Sequence, residues 1–300
     1  MTKKLISTKP LVSVGIPVFN GEKNLARALD SILNQNYSNL EIIISDNASN
    51  DGTRGICEEY VRRDSRIRYI RQNKNIGAPR NWNVVVHEAS GVYFKWASAN
   101  DYCAPTMIEK CVEVLNGDPG TVLCYGRTQL VDKNEKPIEV YDGDSSFAQD
   151  RPSERFANIF HQIRLSNMQC GVFRLEALRH TRLDRPYPAG DIALMAELAL
   201  YGRFRLLPDI LLYRRQGRDT FTSLLTPAEI HQVYNPQRKK PMKLIRTRRH
   251  MDNLASILRA SIPVIEKLRS FAFVLRLAIW DRKEICLEFL SLLRTQPERP

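Results

Sequence analysis

Ile42-Ile43-Ile44-Ser45-Asp46-Asn47-Ala48-Ser49-Asn50-Asp51-Gly52-Thr53 is the stretch whose reading decides the fold. Consecutive β-branched residues run straight into a loop of acids, amides and hydroxyls, and a helix-like segment follows. This is the pattern of a buried strand that delivers polar groups to its C-terminal end, where open α/β sheets bind ligands. An Asn/Ser/Asp/Gly cluster by itself is only a turn. It gains weight because two further strands in the same half of the chain end in the same way.

Outward from this stretch the chain alternates. Leu11 to Ile16 reads as a short buried strand ending at Pro17, and Asn24 to Asn36 as a helix with Leu25, Ala28, Leu29, Ile32 and Leu33 on one face. Glu41 to Ser45, Ile67 to Arg71, Val92 to Ala97 and Thr121 to Tyr125 read as strands. Thr53 to Arg63, Arg80 to Ala89 and Ala104 to Leu115 read as helices, the last with Pro105 in its first turn. This alternation predicts an α/β fold with a mainly parallel sheet flanked by helices. From Gly126 to Gln169 the pattern loosens, as in an insertion that carries specificity. Asp191 to Tyr201 then reads as a helix and Phe204 to Tyr213 as a strand, and Pro236 to Pro241 as a linker.

The 300 residues are 43% hydrophobic and 26% charged, the balance of a globular protein rather than a disordered one. Six cysteines without a C-x-x-C pair read as reduced core residues, and five scattered histidines lack metal-ligand spacing. The opening residues Met1 to Ser7 are basic but lead into no apolar stretch, which predicts no secretory signal. No uninterrupted apolar run approaches the about 18 residues of a membrane span. Together these features predict a cytoplasmic protein. The net charge of +12 is uneven: residues 238–300 hold 15 Lys/Arg against 6 Asp/Glu, and the rest of the chain is nearly neutral.

Three strand ends carry the chemistry. The first gives Pro17-Val18-Phe19-Asn20-Gly21-Glu22, the second Asp46 to Gly52, and the fourth Ala97-Ser98-Ala99-Asn100-Asp101, with Asn73 to Asn81 between the last two. In their order, spacing and strand context these motifs resemble the family 2 glycosyltransferases, GT-A-fold enzymes that use nucleotide-diphosphate sugars. The resemblance covers about residues 9 to 215. It implies a nucleotide-sugar-binding half over about 1–125 and an acceptor half over about 126–235; beyond it, the charge and the apolar stripe of Leu268, Phe271, Ala272, Leu275 and Ile279 read as a basic amphipathic helical extension over 236–300.

The resemblance also implies roles. Pro17, Val18 and Phe19 would line the nucleoside pocket, and Asp46 with Asn47 would meet the base or ribose edge. Many family members carry two acids there, and Asn47 departs from that pattern. Asp101, with Asn100 where an acid is usual, matches the family's metal motif. A divalent cation (Mn or Mg) held there with the phosphates would stabilise the leaving diphosphate. Arg80 would contact the diphosphate, with Arg214, Arg215 and Arg218 as weaker candidates. Asp191 matches the general base of inverting members, which takes the acceptor hydroxyl's proton. The residues taken alone leave other readings open: an Asx turn at Asp46, a helix cap at Asp101 or Asp191, a surface arginine at Arg80. Trp82, Trp96 and Cys170 read as core.

The expectation is an inverting glycosyltransferase that moves a monosaccharide from a nucleotide-diphosphate sugar to a glycan or lipid-linked hydroxyl in cell-envelope polysaccharide or glycolipid assembly. The alternative is a catalytically weak relative that binds nucleotide sugar or glycan. For the basic helices the candidates are packing on the catalytic domain, a homodimer contact, or an anionic membrane surface at the inner face of the membrane. Nucleic acid is not expected, because basic and aromatic residues do not interleave.

Overall fold

The computed structural model describes residues 9–216, 227–237 and 242–293. Strand β1 (Val12–Val18) is buried along its whole length. Strands β2 (Leu40–Asp46) and β3 (Ile67–Arg71) extend the sheet from it in parallel, with α1 (Leu25–Leu33) and α2 (Thr53–Arg63) as the crossovers. Helix α1 turns Leu25, Ala28, Leu29 and Ile32 inward, the stripe that its sequence spacing predicts. Helix α3 (Ala78–His87) then carries the chain back, and β4 (Tyr93–Trp96) pairs in parallel with the other edge of β1. The order of strands therefore reverses between β1 and β4. In an open α/β sheet such a switch leaves a crevice beyond the carboxyl ends of the two strands.

Past the switch the sheet is mixed rather than mainly parallel. It continues through β5 (Tyr102–Cys103), α4 (Met107–Gly117), β6 (Thr121–Val131), β7 (Pro137–Val140) and α5 (Pro152–Gln162). A 3-10 turn at Asn167–Cys170 leads into β8 (Val172–Arg174), followed by α6 (Leu175–His180), α7 (Gly190–Ala199) and β9 (Arg203–Arg215). Among the described residues the spatial order is β3-β2-β1-β4-β8-β6-β9-β5, with β7 on the far end of β6. Strand β8 enters antiparallel between β4 and β6, and β5 runs antiparallel to the end of β9. Strands this short show no periodicity, so the sequence pattern does not reveal them. The loosened region is also more regular than expected: β6 runs on to Val131, and α5 buries Phe156 and Ile159.

The chain ends in α8 (Pro227–Tyr234), α9 (Ile245–Arg259), α10 (Val264–Trp280) and α11 (Arg282–Leu293). Ile257, Phe273 and Val274 bury in the same core as Phe94, Trp96 and Phe173. Phe273 of α10 meets the rings of Phe156 and Phe160 on α5 with centroids 6.0 and 5.8 Å away. Glu266 accepts hydrogen bonds from the Ser153 N–H (3.1 Å) and hydroxyl (2.6 Å) in the first turn of α5. Glu288 likewise accepts the Arg246 and Thr247 N–H groups (2.8 and 3.1 Å) that open α9, where backbone donors lack intrahelical partners. The predicted linker Pro236 to Pro241 lies partly outside the described residues, as does Arg218. All six cysteines are free thiols, and only Cys286 is exposed. Trp96 is fully buried, edge-on to Phe94 and Phe173, and its indole N–H donates to the Trp82 carbonyl, so both tryptophans serve packing.

The loop between α6 and α7 is fixed by a buried ionic knot. Glu197, fully buried on α7, accepts the Arg182 N–H (3.1 Å) and the Arg185 guanidinium (2.8 Å). Asp252 of α9 takes Arg182 (2.9 Å) and the Tyr187 hydroxyl (2.6 Å). Removing one partner of a buried pair strands the other charge, which costs about 3 to 5 kcal/mol. Glu197→Ala is expected to lower stability by that amount. In urea denaturation followed by circular dichroism, the midpoint should fall while the slope stays constant.

Candidate active site

The crevice at the β1/β4 switch is rimmed by three loops, and two of them are laced together. Asn20, in a left-handed conformation (φ 51°), donates its N–H to Ser49 Oγ (2.9 Å) and accepts the Asn50 N–H at its side-chain oxygen (3.0 Å). Gly21 N–H donates to Thr53 Oγ1 (2.8 Å), and Gly52 N–H to Glu22 (3.0 Å). Pro17 and Val18 are buried, whereas Phe19 is 47% exposed.

Asp46 lies fully buried at the end of β2. One carboxylate oxygen accepts the Ser49 N–H (2.8 Å). The other takes the Tyr69 hydroxyl (2.8 Å) and faces the Arg71 guanidinium at 3.3 Å. Asn47 donates to Asn75 Oδ1 (2.8 Å) and accepts the Ile76 N–H (2.8 Å), which pins the loop before α3. Asn81 then staples β1 and β2: it accepts the Ser45 hydroxyl (2.7 Å) and donates to the Ser45 carbonyl (2.8 Å). Sequence reading missed Asn81, because a helical asparagine carries no signal of its partners. Arg80 is exposed in the first turn of α3. Gly77 adopts φ 89°, and a Cβ there would stand 2.8 Å from the Tyr234 carbonyl, so the segment after α8 closes over this loop.

The third loop holds the acids. Asn100 is exposed, and its side-chain oxygen accepts from Asn24 (3.3 Å). Asp101 accepts the Arg215 N–H (3.0 Å). This contact follows from the pairing of β5 with β9, in which Tyr102 stands opposite Tyr213 and Arg214 and Arg215 come beside Asp101. Burial pushes the Asp101 carboxyl up in pKa. The Arg215 N–H, the charges of Arg214 and Arg215, and Ser98 pull it back.

Asp191 sits in the first turn of α7 but does not cap it, since the N-cap is Ala189 in a left-handed conformation (φ 66°). Burial raises its pKa, opposed by the Ile192 N–H, Ser166 and Arg214. Arg214 therefore lies within electrostatic reach of both Asp101 and Asp191, and it is held in place by donating to Asn167 Oδ1 (2.6 Å). Lys95, buried on β4, donates to the Trp96 and Cys170 carbonyls below.

Sequence reading also missed Asp184. Its Oδ1 has no hydrogen-bond partner and would stand 2.7 Å from a Cβ at residue 190, so Gly190 lets this carboxyl approach the start of α7. Burial and the neighbouring Asp191 push its pKa up to about 8. Tyr234 approaches the pair, and both carboxylates with burial raise its hydroxyl. Only the fold reveals this grouping, since Asp184 and Tyr234 are 50 positions apart in the chain. An acid raised from 3.8 to about 8 binds its proton more tightly in the folded state, so the stability it contributes is present below about pH 4 and is lost as pH rises towards 8. Asp184→Asn removes that loss. The thermal midpoint of the variant should exceed that of the parent by a margin that widens from pH 4 to 8, then levels off.

A family model described as glycosyl transferase family 2 matches residues 13–181. The chain therefore belongs to glycosyl transferase family 2. An uncharacterized glycosyltransferase of Haemophilus influenzae is 28% identical over 246 residues, covering 79% of this chain and 72% of that one. One of Rickettsia bellii is 35% identical over 153 residues, covering 49% of this chain and only 21% of the relative. Among solved structures, S. aureus TarS residues 1–349 in complex with UDP aligns with a TM-score of 0.62 at 16% identity, over 90% of this chain and 72% of that one. The mannosyltransferase PcManGT from Pyrobaculum calidifontis in complex with GDP-Man and Mn2+ aligns at 0.53 and 15%, over 94% and 85%. These likenesses show the GT-A fold.

Proposed function

We propose that the chain transfers a monosaccharide from a nucleotide-diphosphate sugar to an acceptor hydroxyl with inversion, Asp191 serving as the base. The observation that supports this reading is that Arg214, held by Asn167, lies within electrostatic reach of both Asp101 and Asp191. The exposed Phe19 ring and the laced loops around Asp46 and Asn47 form the nucleoside end. Arg214, with Arg80 at the rim, offsets the diphosphate charge that grows as the sugar bond breaks. Asp191, ionised, accepts the proton of the acceptor hydroxyl while that oxygen attacks the anomeric carbon opposite the diphosphate. A raised carboxyl is a stronger base than a free one, which suits the task. The binding of UDP by TarS and of GDP-Man by PcManGT supports a nucleotide-sugar donor without choosing the nucleotide.

Divalent metal use is part of this proposal. Among the described residues no three His, Cys, Asp or Glu side chains converge as a metal cluster. A hard cation that keeps its waters needs only one or two carboxylates when substrate phosphates complete its shell, and Asp101 with the Asn100 carbonyl fits that need. Bound there, it would stabilise the leaving diphosphate. The donor set therefore suits a metal that arrives with the nucleotide. A cell-envelope glycan or lipid-linked acceptor is the setting proposed.

A catalytically weak binding relative is the second reading. It is favoured by Asn100, which stands where an acid is usual and is already engaged by Asn24. The two readings separate by experiment. Titration with UDP and GDP should show one nucleotide binding more tightly with Mn2+, little heat from Mn2+ alone, and loss of the Mn2+ enhancement in Asp101→Asn. Asp191→Asn should keep nucleotide affinity and lose transfer by about 100-fold or more. Nucleotide binding with no turnover of any donor in the parent protein would favour the second reading. No nucleotide binding would sink both.

A further inference from the structure

Helix α10 is amphipathic in an unusual sense, because both of its faces are apolar. One face, with Phe273 and Val274, is buried against the catalytic body. The opposite face carries Val264, Leu268, Leu275 and Ile279, exposed to 72, 58, 62 and 51%. At 3.6 residues per turn these positions fall on one line along the full helix. Ile265 (53% exposed) lies beside the line. Helix α11 also exposes Leu287, Phe289 and Leu290, on different sides of that helix. Nothing among the described residues covers this surface, and a contiguous apolar area of this kind marks an interaction site.

The flanking charges decide what covers it. Lys267 lies along one border of the line and Arg276 along the other, and the exposed Arg282 and Lys283 follow at the start of α11. Residues 238–300 carry 15 basic against 6 acidic side chains. A second copy of the chain laid face to face on this line would bring basic borders against basic borders. An anionic lipid surface accepts both features at once, since the apolar line enters the acyl boundary while the basic borders meet headgroup charge. No described helix is long and apolar enough to cross a bilayer, which fits a helix lying on the surface.

We propose that the outward face of α10, extended by α11, docks the protein in the plane of an anionic phospholipid surface. This stands on its own observations and does not depend on the catalytic reading.

The test is flotation of the full chain with vesicles of phosphatidylcholine alone and of phosphatidylcholine mixed equally with phosphatidylglycerol. Binding to the mixed vesicles only, weakened by salt, is expected. Leu268→Gln with Leu275→Gln alters two exposed side chains and should leave the circular dichroism spectrum and nucleotide binding unchanged. Vesicle affinity should fall by about tenfold or more. Arg276→Glu with Lys283→Glu should abolish the preference for anionic vesicles. Failure of the parent to float with mixed vesicles would overturn the proposal, as would equal flotation of the leucine variant. A concentration-dependent dimer in sedimentation that the leucine variant abolishes, without vesicle binding, would instead assign the face to a second copy.

Discussion

The two-residue strand β5 is the smallest element of the sheet, and the chemistry of the crevice depends on it. Its pairing with the end of β9 sets Tyr102 over Tyr213, stacked with centroids 4.8 Å apart, and Arg27 lies over the Tyr102 ring at 4.0 Å. Through that register the Arg215 N–H reaches Asp101, and the Arg214 charge reaches both Asp101 and Asp191. Buried carboxyls lose hydration and favour their neutral form unless a positive charge or a donor offsets the loss. The cationic end of β9 supplies both. Glu135, from the turn between β6 and β7, pairs with Arg215 (2.5 Å) and Arg27 (3.1 Å) and closes the outer side of the cluster.

The crevice has two halves of different physical character. On the side of β1 and β2, Asp46, Asn47 and Asn81 spend their hydrogen bonds on neighbouring elements, which makes a preorganised wall that needs little rearrangement. On the other side polar capacity is left over: Asp184 Oδ1 is buried without a hydrogen-bond partner, close to Asp191. Buried polar atoms are rarely left unpaired without a reason. A hydroxyl-rich acceptor would satisfy this one, in keeping with the proposed reaction. The knot of Arg185, Glu197 and Asp252 holds the loop that carries this half, and it ties that loop to α9. The C-terminal helices thus support the acceptor side as well as presenting the outward face of α10.

Much of the first half was legible because parallel strands buried on both faces leave an unbroken apolar run, as in Ile42 to Ile44, with polar loops at one end only. The helical stripe of α1 was legible for the same kind of reason, through its period. Asp191 was singled out by its match to the family's general base, while its setting before an apolar helix suggested a cap that the structure gives instead to Ala189. The strands β5 and β7 were not legible. They are too short for alternation to register, and their pairing energy comes from neighbours far away in the chain. The antiparallel entry of β8 is what makes the sheet mixed.

The sequence by itself determined the class of fold and the loops that rim the crevice, because these rest on local patterns of burial and turn chemistry, and it carried the motifs by which the chain resembles its family. Only the tertiary structure decided that Asp46 and Asn47 are engaged by neighbouring loops, that Asp184 and Tyr234 come within electrostatic reach of Asp191, and that Arg214 acts on two carboxyls. It alone showed which of the two apolar faces of α10 is covered. Contacts of this kind join residues dozens of positions apart, and strand register and helix packing fix them at distances that no local spacing encodes.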